Sequence, residues 1–227
     1  MIKLGGFLDF FIPRFCPACN SKLETDEISV CNKCFTSVKK ADNKRLQNEF
    51  ERKFANTGLI SDFISLFVFQ QDKAIQPFIH SIKYNKRFLN AKHLGKLIAA
   101  NLENKLRNWD IDYIVPIPLH QLKKAERGYN QSYYIALGLG KYMRIPVKNS
   151  LIKRVRYTET QTNLTLSERE KNISGAFKAK RKRKIANKTF LLVDDVITTG
   201  ATIRECAKVL LENEAISVYA CSAAIAD

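Results

Sequence analysis

The sequence predicts an α/β fold, a parallel sheet flanked by helices, with a small amino-terminal metal-binding module ahead of it. Three observations carry that expectation. Phe190, Leu191, Leu192 and Val193 form an unbroken apolar run, the composition of a strand buried on both faces. Residues 202–211 follow with apolar side chains at Ile203, Cys206, Ala207 and Leu210, the spacing of a helix packed on one side. Two cysteine pairs, Cys16-x2-Cys19 and Cys31-x2-Cys34, stand eleven residues apart near the start of the chain.

In chain order, residues 4–15 are apolar, but Asp9 and Pro13-Arg14 interrupt them. They are also far shorter than the roughly 20 residues that a membrane span needs. They read as a helix packed on its own protein, with no small-residue cleavage site after it, so a cytoplasmic location without membrane insertion is expected. Thiols stay reduced in that compartment, and paired cysteines there point to metal before disulfide. Cys16, Cys19, Cys31 and Cys34 form two knuckles able to present four thiolates to one tetrahedral Zn²⁺. Four thiolates leave no open coordination position, so that zinc would be structural. Cys206 and Cys221 read as core residues.

Residues 39–53 hold nine charged side chains among fifteen, with a weak stripe through Leu46 and Phe50, and read as a linker helix. Residues 60–69 have strand composition. Helical spacing then runs through Ile75, Phe78, Ile79 and Ile82, and again through Leu94, Leu97, Ile98 and Leu102. Residues 111–115 form a short strand closed by Pro116. Pro118 makes a stiff loop of Ile117, Pro118, Leu119 and His120, a place where a cis X-Pro bond is tolerated. Residues 130–143 read as a helix in which Gly138 and Gly140 allow close packing against the sheet. A strand at 151–155 leads into the polar, unperiodic residues 156–163, which suit an active-site lid or a surface loop, and Ser167 can cap a short helix through 172. Residues 216–224 make the last strand. The expected division is 1–38 for the metal module, 39–58 for the linker helix and 59–227 for the α/β domain.

With 38 Lys and Arg against 22 Asp and Glu, the net charge is +16, which points to a polyanionic partner, nucleic acid first. Seven cations and no acid fall within residues 178–188, a run that suits a phosphate backbone as well as a solvated turn. The three histidines show no metal-ligand spacing, and no G-x-S-x-G motif is present, which argues against a hydrolase of that class.

The strongest site signal lies after the run at 190–193. Asp194 and Asp195 only accept hydrogen bonds, so side by side at a strand end they suit vicinal ribose hydroxyls, directly or through Mg²⁺. Thr198, Thr199 and Thr202 offer hydroxyls, and Gly200 and Ala201 let backbone approach an anion at a helix start, so the turn can cradle a phosphate. This segment resembles the phosphoribosyl pyrophosphate (PRPP) motif of type I phosphoribosyltransferases. Taken with both cysteine pairs, the residues 115–120, the run from Arg127 to Gln131, and the stretch from Arg154 through Gln161 and Asn163 to Arg169 and Phe177, the chain resembles the ComF competence family along nearly its whole length.

That resemblance implies a type I phosphoribosyltransferase-like domain and a role in handling incoming DNA during natural transformation. It implies that Asp194 and Asp195 hold the ribose, residues 198–202 the 5′-phosphate, and Ile117, Pro118, Leu119 and His120 with Arg127 the pyrophosphate, while residues 156–163 form the lid. PRPP or a ribose 5-phosphate compound with Mg²⁺, single-stranded DNA and other competence proteins are the expected partners. Three readings stay open: a protein that binds PRPP and receives single-stranded DNA, an active phosphoribosyltransferase of nucleotide metabolism or salvage that displaces pyrophosphate by a nitrogen nucleophile, and a PRPP-responsive regulator without turnover.

Overall fold

The structure, a computed structural model of the 227-residue chain, describes residues 13–70, 73–84, 88–157 and 172–226. Helix α1 (Asn32–Ser37) closes the cysteine module and α2 (Asn43–Lys53) follows, its first turn capped by the Asp42 carboxylate, which accepts from the Arg45 N–H at 2.7 Å. Strand β1 (Phe63–Phe69) leads to α3 (Ile75–Tyr84) and α4 (Phe88–Arg107). After β2 (Tyr113–Pro116) come α5 (Gln121–Arg127) and α6 (Gln131–Met143). An antiparallel pair of β3 (Ile152–Arg154) and β4 (Phe177–Ala179) precedes β5 (Thr189–Ile197), α7 (Ala201–Leu211) and β6 (Ser217–Ala226).

The main sheet has the order β1-β6-β5-β2, with every neighbouring pair parallel. Alternate side chains enter two apolar cores. Phe63, Val115, Phe190 and Leu192 pack with Ile203, Cys206 and Leu210 of α7 and with Phe54 at the end of α2. Ile64, Ile114, Leu191 and Val193 pack with apolar residues of α3, α4 and α6. The helices that leave β2 and β5 thus lie on opposite faces, although the two strands are neighbours. A crevice opens at the carboxyl ends of strands where the winding reverses in this way.

Both sheet edges are covered. Residues 39–41 run antiparallel along β1, with Ala41 N–H donating to the Leu66 carbonyl at 3.1 Å and Val68 N–H to that of Lys39 at 2.9 Å. On the far side Ile114 N–H donates to Pro146 O at 3.0 Å, and the Ile114 carbonyl accepts from Lys148 N–H at 2.8 Å. Unpaired edges invite pairing with other chains, and these two segments remove the invitation. No helix among the described residues is long and apolar enough to cross a membrane.

Several expectations change. Strand β5 runs through both acids to Ile197, because β6 keeps pairing with it: Asp194 lies opposite Ser222 and Ile197 opposite Ile225. Helix α5 is an addition to the expected elements; the His120 side chain accepts from Leu122 N–H at 3.3 Å to start it, and Gly128 at φ +77° ends it. No peptide bond among the described residues is cis, so Pro118 stiffens its loop in the trans form. Most of the apolar segment 4–15 lies outside the described residues, and its end is not helical, since Phe15 bridges to Lys22. The predicted helix from Ser167 also lies outside them, apart from its last residue.

The glycines of α6 face something other than the sheet face alone. A Cβ at Gly138 would sit 1.9 Å from the Lys92 carbonyl oxygen, and one at Gly95 would sit 2.0 Å from that of Ile135. Helices α4 and α6 therefore touch backbone to backbone. Gly140 instead packs under the returning chain, where an added Cβ would sit 2.7 Å from both Ile145 O and a Val147 methyl. Gly138→Ala is expected to destabilise the fold by about 2 kcal/mol, since overpacking a fixed backbone outweighs the gain of roughly 1 kcal/mol in helix propensity. Urea unfolding measures it, and an unchanged or raised midpoint would show that the two helices have room to part.

Candidate functional site

On β5, the half-buried Asp194 and the buried Asp195 meet the start of α6 from adjacent positions at the crevice. The Asp194 Oδ1 accepts from Ser132 Oγ at 2.9 Å and from the Asp195 N–H at 2.9 Å. The Asp195 carboxylate accepts from Val196 N–H at 2.8 Å, from Gln131 Nε2 at 3.2 Å and from the Lys83 ammonium at 3.1 Å. Gln131 and Ser132 form the first turn of α6, and Asn130 caps it by accepting from Ser132 N–H at 3.0 Å while its amide donates to Ile117 O at 2.9 Å. One helix start thus positions both acids and the residue 117–120 loop.

The two carboxylates differ in charge state. Burial, then the neighbouring Asp195 charge, pushes Asp194 up to about 7. Burial also acts against Asp195, but the Lys83 charge and hydrogen bond overcome it and hold the carboxyl below its ordinary value.

The turn after β5 is braced from behind. Thr199 Oγ1 accepts from Ala201 N–H at 3.2 Å, and Gly200 at φ +76° brings no side chain to cap α7, which leaves first-turn N–H groups to an anion. A Cβ at Gly200 would meet the Phe54 ring at 2.8 Å. Arg204 donates from Nη1 to the Thr199 carbonyl at 2.9 Å and to the Lys53 carbonyl at 2.6 Å, tying the turn to the end of α2. Lys53 is in turn paired with the buried Glu49 at 3.0 Å and donates to Ala226 O at 3.2 Å. Thr198 is exposed, Thr202 is half-buried and Ala201 is buried.

Across the crevice, the Ile117 side chain is buried and its N–H donates to Val193 O at 2.9 Å, so the loop's outward face belongs to Pro118, Leu119 and His120. His120 also stands edge-on to Tyr157 at 5.2 Å. Cations gather behind the loop. Burial lowers Lys123 from its ordinary value, and the charges of Arg154, Arg127 and Lys83 add to that effect. Arg154, also lowered by burial, feels the Asp194 charge and lies over the Phe177 ring at 5.4 Å. Arg127 sits in the last turn of α5. The crevice is therefore positive around a pair of acids.

The structure brings together Asp194, Asp195, the 198–202 turn and the 117–120 loop. Sequence reading missed Lys83, Gln131, Ser132 and Arg204 as parts of the site. Gln131 and Ser132 carried a signal as helix-start residues directly after the loop; Lys83 ends a helix with no local mark of its role. Of the proposed lid, Arg156 donates to the carbonyls of Asn172 at 2.8 Å and Ser174 at 2.6 Å, and residues 158–163 lie outside the described residues. In the basic run, Lys188 is paired with Asp112 at 2.8 Å, while Lys178, Lys180 and residues 181–184 are exposed.

The four thiols of Cys16, Cys19, Cys31 and Cys34 lie within 4.8 Å of one another, a set that can hold a metal ion. Their spacing suits it: Cys19 and Cys31 sulfurs are 3.6 Å apart, close to the separation of two sulfurs at about 2.3 Å from one tetrahedral ion. Glu27 stiffens the module, its carboxylate accepting from Glu24 N–H at 2.8 Å and Asn32 N–H at 2.6 Å. Ser21 holds Cys19 down at about 6, whereas burial raises Cys31 and Cys34. Edge-on packing of Phe35 against Phe67 of β1, at 5.7 Å, joins the module to the sheet.

These features define a phosphoribosyl transferase domain: the family pattern of that description matches residues 85–225, and the chain belongs to that family. Among individual proteins, it is 33% identical over 136 residues to competence protein F of Haemophilus influenzae, covering 58% of this chain and 59% of that one. It is 31% identical over 147 residues to DNA utilization protein YhgH of Escherichia coli, covering 63% and 64%. It is 30% identical over 99 residues to competence protein ComFC of Bacillus subtilis, covering 44% and 38%. The matches thus span less than two thirds of the relatives' lengths, and they bear out the ComF resemblance. A solved structure of the allosteric regulatory enzyme of purine biosynthesis aligns at 20% identity with a TM-score of 0.43, over 64% of this chain and 30% of that one.

Because Asp194 titrates higher in the folded than in the unfolded chain, its ionisation opposes folding. The cost is absent well below pH 4, grows through the intervening range and is complete above about pH 7. Asp194→Asn keeps an oxygen for Ser132 and removes the charge, so it should raise the melting temperature, and by more at pH 8 than at pH 5. Equal shifts at the two pH values would show that the carboxyl titrates normally.

Proposed function

We propose that the chain binds PRPP or a related ribose 5-phosphate compound with Mg²⁺ and serves, as a ComF-type protein, in the cytoplasmic handling of single-stranded DNA taken up during natural transformation. The observation that carries the ligand is the meeting of an acid pair and a glycine-containing turn at the reversal of sheet winding, beside Lys83, Lys123 and Arg154. Asp194 and Asp195 would accept from the ribose hydroxyls or ligate Mg²⁺. The 198–202 turn would take the 5′-phosphate, and Leu119, His120 and Arg127 would face the pyrophosphate with help from Lys123 and Arg154. Magnesium would neutralise phosphate charge in that position. Lys83 keeps Asp195 ionised and oriented before any ligand arrives. The ion of the cysteine module is read as zinc, because four thiolates suit a soft tetrahedral site.

Calorimetric titration with PRPP and with ribose 5-phosphate, each in the presence of Mg²⁺, tests the ligand. Asp194→Asn with Asp195→Asn should weaken binding about a hundredfold or more, since charge-assisted hydrogen bonds contribute roughly 1.5–3 kcal/mol each. Undiminished affinity in that double variant rejects the assignment.

Support for the DNA role comes from the names of the relatives, the charge of +16 and the exposed cations of residues 178–184. Replacing Arg181, Lys182 and Arg183 by Glu should weaken single-stranded DNA binding at low salt and flatten the plot of log affinity against log salt. The slope should fall in magnitude by about 2, at roughly 0.7 for each phosphate that is no longer neutralised. Ribose 5-phosphate affinity should hold, because those residues lie on another segment. A triple variant with parental affinity and slope would place the DNA surface elsewhere.

A further inference from the structure

A cavity of about 520 Å³ opens on the 117–120 loop and shares Pro118, Leu119 and Arg154 with the proposed pyrophosphate side of the crevice, but neither Asp194, Asp195 nor any residue of 198–202 lines it. Its volume falls in the range of roughly 300–1,000 Å³ typical of small-molecule sites. The chemistry of its wall is selective. Tyr133, Tyr134 and Tyr129 supply rings, with centroids 5.5 Å apart between the first two and 5.5 Å between the last two. Tyr129 is buried and donates its hydroxyl to the Ile82 carbonyl, which fixes the cluster, while Tyr133 is half-buried and lines the cavity.

Cations border these rings. The β3–β4 pair delivers Lys153 and Lys180, both exposed, and Arg154 lines the wall between this cavity and the acid pair. Lys180 is fixed by its backbone N–H, which donates to Leu151 O at 2.8 Å. No carboxylate is among the lining residues, and Asn149 and Ser150 offer amide and hydroxyl groups at the same mouth. Aromatic surface, polar edges and net positive charge together select a planar heteroaromatic ring that carries a phosphate. A simple anion has no use for the tyrosines, and an uncharged ring has none for the lysines.

We propose that this cavity binds a nucleobase with its attached phosphate, at a site separate from the ribose-phosphate cradle. The ring stacks on Tyr133 and the phosphate lies toward Lys153 and Lys180. Either a free nucleotide or one residue of an unpaired strand offers that chemistry.

The test titrates the full chain with adenosine 5′-monophosphate and with a short oligodeoxyadenylate, each with ribose 5-phosphate and Mg²⁺ at saturation and again in the Asp194→Asn, Asp195→Asn variant. Binding should persist in both settings. Tyr133→Leu should weaken it about tenfold or more, the scale of one lost base stack, and Tyr133→Phe should retain it. Lys153→Gln with Lys180→Gln, at exposed positions where folding is not at stake, should weaken it and reduce its salt dependence. Ribose 5-phosphate affinity, measured separately, should be unchanged by either set, which keeps failure here distinct from failure of the PRPP assignment. Preference for the mononucleotide marks a free-nucleotide site, and preference for the oligonucleotide marks a strand site. The proposal falls if neither probe binds, or if both the Tyr133→Leu and the double lysine variants bind as the parent does.

Discussion

Two carboxylates on neighbouring residues of a central strand repel each other and lose hydration, and the surroundings of the crevice answer that pair of costs. Desolvation and like charge favour a proton on one member of such a pair. Here the asymmetry comes from Lys83, which reaches Asp195 at 3.1 Å, while Asp194 is left with a serine hydroxyl and a backbone amide. One acid is thereby ionised near neutrality and the other is poised to titrate close to it, at about 7. Such an arrangement is costly for folding alone. Hydroxyl donors or a cation at that position would relieve the repulsion, which is the basis of the role proposed above for the pair.

Preparation extends to the backbone. The turn after β5 has few side chains with which to brace itself, and its bracing comes from α2, which the sequence presents as a charged linker. Arg204 joins the carbonyls of Thr199 and Lys53, Phe54 fills the space that any side chain at position 200 would need, and the Glu49–Lys53 pair secures that end of α2 to the last strand. Residues 39–41 lead into the same helix while covering the β1 edge. The polar stretch thus does two structural tasks, protecting an edge and backing the turn after β5, and its high charge reflects the wet side of a helix whose other side is in the core.

What could be read from the sequence was what is determined locally. Strands buried on both faces announce themselves as runs such as 190–193 and 216–224, and the cysteine pairs carry their spacing openly. Features set by partners distant in the chain were hidden. Asp194 and Asp195 look like a strand's end because charges rarely sit in a central strand, yet pairing with β6 carries the strand past them. Helix α5 is seven residues long, too short for a periodic stripe, and exists through a histidine cap and a left-handed glycine. Gly138 was recognisable as a close-packing residue, but only the fold reveals that its neighbour is the Lys92 carbonyl of α4 and not the sheet. Lys83 belongs to the site because α3 ends beside β5, a fact of packing that no window of sequence contains.

Charge follows a similar division between the summed and the placed. An excess of sixteen positive charges describes the whole chain and says only that anions are welcome. The fold sorts that excess. Lys188 and Lys105 are engaged by Asp112 and Asp62, and Lys53 by Glu49, all in structural pairs. Lys123 and Arg154 are drawn inward, where burial depresses both, so an anion placed beside them would relieve the cost of their buried charge. A further set, Lys178, Lys180 and residues 181–184 with Lys153, stays in water on and after the β3–β4 pair, where screening is strong. Because Arg154 lies on β3 and feels the Asp194 charge, the β3–β4 pair reaches from the crevice at its inner end to the exposed basic run at its outer one.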